Sequence, residues 1–187
     1  QTKPVIQNWK DLLNSLPAWE ADILQGVTVT PWFKTAIENP EAATLIVSDG
    51  GHKGIYGAYS WIIRMQTKAV ATGYRATHGN PMSSHWAEGY SKLAWLWFLH
   101  HSITFEGIQI KSEVRSFCDN KSIVRATRQG PEEADGKPAM IGPPLHPDYD
   151  LINEIQHAQN QLAKLYPQLQ DTEHVKGHQD NKTKFKD

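Results

Sequence analysis

The sequence predicts an α/β fold in which a mixed five-stranded sheet is flanked by helices and preceded by an N-terminal helical arm. Three observations support this prediction. Residues Thr44–Arg64 contain two apolar strands, and a long run with apolar residues at helical spacing follows over 85–101. A β-rich segment over 107–117 then ends at Cys118 and Asp119. Because strand, helix and strand in this order form a right-handed crossover, we expect the segment at 107–117 to lie parallel to the opening strand.

Residues 1–43 are predicted to form the arm, or the remnant of a preceding domain. Apolar residues recur at helical spacing between Trp9 and Leu16, where Pro17 ends the helix. A second short helix is predicted from Trp19 to Leu24. We therefore assign the main domain to residues 44–187.

The opening strand of the main domain is short and apolar, which is typical of a strand buried on both faces. We expect it to end at Asp49 and to turn through the two glycines that follow. The chain returns as a strand over Tyr56–Ile63 and continues as a third strand over Val70–Thr77, which together form an antiparallel meander.

The remaining elements follow from periodicity, caps and composition. Ser83 or Ser84 caps the long helix, and Asn120 caps a short one. The later predicted elements are the short helix Lys121–Arg128, a long mobile loop over Gln129–Pro147, an amphipathic helix over Tyr149–Leu165, a strand over Thr172–Lys176 and a loop over 177–180.

Composition limits the classes of function. The 187 residues are 39% hydrophobic and 21% charged, which fits a globular domain with a proper core. A formal net charge of -1 argues against nucleic-acid binding through bulk positive charge alone. One cysteine excludes an internal disulfide and favours a reducing, intracellular compartment, and we expect no membrane partner because no apolar run reaches membrane-spanning length. Without an initiating Met, the chain is expected to be a fragment or a processed product.

Two strand ends and one helix start each carry an acid: Asp49, Asp119 and Glu88. If the two strands are parallel neighbours, their aspartates come close together, and Glu88 reaches them from the helix. Three converging carboxylates cannot all stay ionised without a cation. Oxygen ligands favour Mg²⁺ or Mn²⁺, and a pair of such ions catalyses phosphodiester hydrolysis.

Five segments in a fixed order carry a family resemblance: SDGG with YGAYSWIIR, SSHWAEGYSKLAWLWFL, FCDNKSIVRA and HVKGHQD. From residue 44 onward, the chain resembles type 1 ribonuclease H, and it is most similar to the ribonuclease H domains of retroelement reverse transcriptases. The resemblance implies cleavage of the RNA strand of RNA–DNA hybrids with two Mg²⁺ or Mn²⁺ ions, and an adjoining reverse-transcriptase domain as a partner.

The resemblance also implies roles for individual residues. Asp49, Glu88 and Asp119 would bind metal, and His178 would assist proton transfer or product release. Contacts to the hybrid fall on five further positions: Gly50, Gly51, Ser84, His85 and Lys121. RNA is distinguished from DNA by its 2′-hydroxyls across a shallow minor groove, which suits glycines and short polar side chains.

The chain departs from the family pattern in two places. Ser84 and His85 stand where the family has asparagines. The family also carries a fourth acid on a helix after the histidine loop, whereas this chain ends at Asp187 in a polar run, NKTKFKD. Asp187 lies near the expected spacing and Asp180 lies nearer the histidine, and we expect the final helix to be truncated.

Two alternatives remain open. A catalytically silent domain of the same fold could serve as a structural or nucleic-acid-binding module, which the missing fourth acid and the near-neutral charge favour. Other nucleases of the superfamily fit less well, because integrases order their acids as two aspartates and then a glutamate. Proofreading exonucleases place a glutamate two residues after the first aspartate, where this chain has Gly51.

Overall fold

A mixed sheet forms the centre of the molecule, and the computed structural model describes residues 9–78, 83–129 and 149–176. Its strands are β1 (Val27–Val29), β2 (Ala43–Lys53), β3 (Tyr56–Met65), β4 (Lys68–His78), β5 (Glu113–Cys118) and β6 (Glu173–His174). They lie in the order β1-β4-β3-β2-β5-β6. The helices are α1 (Trp9–Ser15), α2 (Ala18–Leu24), α3 (Phe33–Ile37), α4 (Ser84–Glu106), α5 (Lys121–Ala126) and α6 (Tyr149–Leu165).

The predicted α/β class and the crossover are both confirmed. β2, β3 and β4 form an antiparallel meander, and β5 pairs in parallel with β2 from Ala43↔Glu113 to Ser48↔Cys118. The crossover between them contains α4, whose N-cap Ser83 accepts a hydrogen bond from the Trp86 amide. The carboxyl ends of the parallel pairing therefore meet at one point, directly before Asp49 and Asp119.

Several details of the predicted sheet are wrong. The segment over 107–117 forms a strand only over Glu113–Cys118, and the opening strand, expected to be buried on both faces, exposes Val47 on one of them. The sheet has a sixth strand, because β1 in the segment before residue 44 pairs antiparallel with β4. β2 also does not end at Asp49, since Asp49 and both following glycines stay paired with β3 and the hairpin turns at Gly54, whose φ of +62° suits glycine. Pairing with β3 thus overrides the local turn preference of the Asp-Gly-Gly sequence.

Helix α4 is the central element of the core. Ile46, Trp61 and Ile63 are buried on the sheet face that it covers, and Phe98 of α4 packs 5.0 Å from Trp61, measured between ring centroids. Its opposite side packs against α6, whose Ile155 is fully buried. Burial on several sides fixes α4, and with it any side chain that projects from its first turns.

The segment before residue 44 contributes to the same core. Phe33, Ala36 and Ile37 of α3 are all at most 1% exposed, and the Ile37 carbonyl accepts hydrogen bonds from the amides of Lys111 and Ser112. On α2, Oε1 of the buried Glu20 lies 2.6 Å from Nε2 of His101 on α4. These contacts join the arm to both α4 and the segment that leads into β5.

Helices in the described parts of the chain are all too short or too polar to cross a membrane. The predicted mobile loop lies outside the described residues except for Gln129, as does the predicted loop at 177–180.

Candidate functional site

The candidate site lies where the parallel pairing of β2 and β5 ends. Ser48↔Cys118 is the last pair, so the next residues are Asp49 on β2 and Asp119 after β5. Asn120 then caps α5 by accepting a hydrogen bond from the Ile123 amide at 3.1 Å. Asp119 is therefore held between a strand end and a capped helix start.

Gly50 lets α4 approach this point. A Cβ built on Gly50 would lie 2.5 Å from the carbonyl carbon of Ala87 and from the amide nitrogen of Glu88. No side chain fits there, because helix backbone cannot move aside. The Gly50 backbone also hydrogen-bonds the Glu88 carboxyl, which is 2% exposed. Close packing of β2 on α4 thus buries Glu88 beside the end of β5.

Glu88, Cys118 and Asp119 form a compact cluster in which one ligand atom from each residue lies within 4.8 Å of the others. The Cys118 thiol donates to Glu88 Oε2 at 3.4 Å. Burial, followed by the hydrogen bond to Asp119, raises the pKa of Glu88 to about 9. Burial, followed by the charge of Glu88, raises the pKa of the Cys118 thiol to about 12.

The chemistry of this cluster fits a divalent cation. Two adjacent carboxyls, one of them buried, cannot both be ionised at neutral pH unless positive charge offsets their repulsion. A cation would supply that charge, and the two carboxylates are the oxygen ligands that Mg²⁺ and Mn²⁺ prefer. The thiol stays protonated and acts as a hydrogen-bond donor to Glu88, because its pKa lies far above neutral pH.

Asp49 does not belong to this compact cluster, although the sequence predicts that all three acids converge. Side chains alternate along a strand, and Gly50 faces α4, so Asp49 projects from the other face of the sheet. There it is exposed and lines a shallow depression with Ser60 and Tyr74. Its carboxylate is one residue beyond the parallel pairing, as Asp119 is, but on the solvent side.

The predicted contacts to the hybrid lie around the same end of β2. Gly51 has open space where a Cβ would stand. Ser84 opens α4 and its hydroxyl lies 3.2 Å from His52 Nδ1, while His85 is the next residue of the helix. Lys121 is exposed at the start of α5. The remaining predicted site residues, His178, Asp180 and Asp187, lie outside the described residues.

Two residues near the acids were not predicted to matter. The sequence gives Cys118 no role at the site, yet its thiol donates directly to Glu88. Its place before Asp119 and its strand parity, which points it towards α4, are the signals that could have identified it. Lys92 lies one helical turn after Glu88 and is 1% exposed, which only the packing of α4 reveals.

Comparison with solved structures identifies the fold. The chain is similar to the N-terminal RNase H domain of Rv2228c from Mycobacterium tuberculosis, solved as a fusion with maltose binding protein, with a TM-score of 0.51 and 18% identity over 76% of this chain and 88% of that one. It is also similar to LC11-RNase H1, solved in complex with an RNA/DNA hybrid, with a TM-score of 0.52 and 14% identity over 74% of this chain and 89% of that one.

Sequence comparisons add no further relative. No protein-family model matches the chain, and no curated protein matches it either. The structural neighbours are RNase H domains, so the chain has a ribonuclease H-like fold, a mixed six-stranded sheet flanked by helices.

Proposed function

We propose that this protein is a metal-dependent endonuclease that hydrolyses the RNA strand of RNA–DNA hybrids. The observation that carries the proposal is the contact between the buried carboxyl of Glu88 and Asp119, at the end of a parallel strand pair in a ribonuclease H-like fold. A similar fold, in LC11-RNase H1, was solved with an RNA/DNA hybrid bound.

In this proposal, Glu88 and Asp119 would hold the cations at the sheet edge, and Asp49, one residue beyond the same strand pairing, would contribute its exposed carboxylate. Two Mg²⁺ or Mn²⁺ ions would activate water and stabilise the charge that develops on the phosphodiester. His178 assists proton transfer or product release, and Asp187 is proposed as the fourth acid.

Residues around the end of β2 would contact the hybrid. Next to Gly50, which packs against α4, the open backbone at Gly51 would admit the RNA strand, and the polar side chains of Ser84 and His85 at the start of α4 would hydrogen-bond to it. Lys121 would contact a phosphate. From the motifs alone, we also propose that the domain acts beside a reverse-transcriptase domain.

Cleavage of a labelled RNA–DNA hybrid, with double-stranded RNA as the competing substrate, tests this function. We expect cleavage of the hybrid only with Mg²⁺ or Mn²⁺. The variants Asp49→Asn, Glu88→Gln and Asp119→Asn should each lose at least about a hundredfold in rate while staying folded. Glu113→Gln, which changes an exposed acid at the far end of β5, is the matched control and should keep full activity. An Asp119→Asn variant that cut hybrids as fast as the parent would refute the proposal.

A silent module with the same fold is the second candidate, because the exposed Asp49 lies outside the compact cluster. Calorimetric titration with Mn²⁺ separates the two functions. A nuclease should bind two ions per chain and lose binding in Asp119→Asn. A silent module should bind neither ion and should leave the hybrid intact.

A further inference from the structure

Lys92 is a buried charge that the proposed chemistry does not use. Its side chain is packed between α4 and α5, and its Nζ donates to the Thr127 hydroxyl at 2.8 Å. The negative charge of Asp171, which follows α6, is the largest charge effect that favours the protonated form of Lys92. Burying an ammonium group is costly, so its position calls for a structural reason.

The partner of Lys92 is the residue that ends α5. Thr127 is fully buried, and its hydroxyl donates in turn to the Ile123 carbonyl at 2.7 Å. α6 holds the same helix end, because Gln159 Nε2 donates to the Thr127 carbonyl at 2.9 Å and Gln156 Nε2 donates to the Ala126 carbonyl at 3.2 Å. Hydrogen bonds from both α4 and α6 therefore hold the carboxyl end of α5.

α5 carries this constraint to Asp119. The helix has six residues, so it is only about 9 Å long. Ile123 joins its two ends, because its carbonyl accepts from Thr127 while its amide donates to Asn120 Oδ1. Two hydrogen bonds, the backbone of Ile123 and a third hydrogen bond thus connect Lys92 to Asn120, the residue that follows Asp119.

Glu88 and Lys92 lie one turn apart on α4. The same rigid helix therefore carries one acid of the cluster directly and reaches the other through α5. We propose that Lys92 is a positioning residue, which fixes the distance between Asp119 and Glu88 by anchoring α5 to α4. This inference rests on the proposed function only in taking these two acids to hold the cation.

The test compares variants that remove or keep the anchoring bond. Lys92→Met removes the donor at similar length, Thr127→Val removes the acceptor at the same shape, and Thr127→Ser keeps it. Thr44→Val is the matched control, because it deletes the buried hydrogen bond between the hydroxyls of Thr44 and Ser112 at the other end of β2.

We expect Lys92→Met and Thr127→Val to lower kcat and Mn²⁺ affinity by about tenfold each, with KM for the hybrid unchanged, because a displaced Asp119 weakens the cation site and leaves the hybrid contacts in place. Thr127→Ser should restore both values. The double variant should be no worse than Thr127→Val alone, because Thr127→Val already removes the bond to Lys92 together with the bond to the Ile123 carbonyl. Thr44→Val should lower the stability of the fold and leave kcat and Mn²⁺ affinity unchanged.

Amide hydrogen exchange provides a readout that does not depend on activity. Loss of the anchor should speed exchange at the Ile123 amide by about tenfold, with α6 unaffected. If the parent cuts no hybrid, the proposed function fails, and exchange at Ile123 then decides the positioning role by itself. If Lys92→Met does not fold, the Thr127→Val and Thr127→Ser pair decides it. Equal kcat, Mn²⁺ affinity and Ile123 exchange in Thr127→Val and Thr127→Ser would overturn the proposal.

Discussion

Replacing Glu88 by glutamine should stabilise the metal-free protein at neutral pH while it abolishes the proposed cleavage. Burial and the hydrogen bond to Asp119 raise the pKa of Glu88 from 4.5 to about 9, so the folded chain keeps a proton that the unfolded chain releases. A glutamine amide reproduces that protonated state, because its NH₂ can donate to Asp119 and its oxygen can accept from the Gly50 amide.

The sign and size of the effect follow from proton linkage. Between pH 4.5 and about 9 the unfolded state binds fewer protons than the folded state, so the parent loses stability as pH rises through this range. At pH 7 this loss amounts to about 3 kcal/mol as an upper value. Glu88→Gln does not lose this stability, because glutamine does not titrate. Its free energy of unfolding should therefore equal that of the parent near pH 4.5 and exceed it by about 1–3 kcal/mol at pH 7.

Urea unfolding, followed by tryptophan fluorescence at several pH values, measures this difference. Glu113→Gln controls for the loss of an exposed carboxylate and should change the free energy of unfolding by less than about 0.5 kcal/mol at every pH. Added Mn²⁺ should stabilise the parent and not Glu88→Gln, which narrows the gap between them. The reasoning would be refuted if Glu88→Gln were less stable than the parent at pH 7, or if the difference in free energy of unfolding between them did not change with pH.

Two further predictions concern packing. Gly50→Ala should cost about 1–3 kcal/mol of stability and weaken Mn²⁺ binding, because its Cβ would lie 2.5 Å from the α4 backbone. Gly51→Ala, which has open space at that position, should leave the free energy of unfolding in urea unchanged. Equal effects of the two variants would contradict the packing of β2 on α4. Deleting residues 1–43 should abolish cooperative thermal unfolding, as followed by circular dichroism. The deletion removes core side chains, including Phe33 and Ile37, that contribute more than about 6 kcal/mol to a fold of ordinary stability. A shortened chain that unfolds as cooperatively as the parent would show that the arm is dispensable.

Much of the sheet could be predicted because its signals are local. Alternation and apolar runs identified the meander, and the order of strand, helix and strand required β5 to lie parallel to β2. The caps of α4 and α5 were visible as serine and asparagine before helical patterns. β1 was missed because three residues give no measurable period and its pairing with β4 is a tertiary contact.

The candidate site was harder to predict than the sheet. Asp49 stands before two glycines, which is a turn signal, but its long pairing with β3 keeps it in a strand and turns its side chain away from α4. The opening strand is apolar on both faces, so its residues gave no cue to which face Asp49 would take. The contact of Cys118 with Glu88 and the burial of Lys92 against Thr127 both depend on the packing of α4, which no local pattern encodes.

Strand-resolved cleavage of one RNA–DNA hybrid tests the central claim most directly. The RNA and the DNA strand carry different end labels, and the parent is compared with Asp119→Asn at pH 7 with and without Mn²⁺. The proposed site predicts internal cuts in the RNA strand alone, only with Mn²⁺ and only by the parent. Cuts in the DNA strand, cleavage without a divalent cation, or equal cleavage by Asp119→Asn would contradict it.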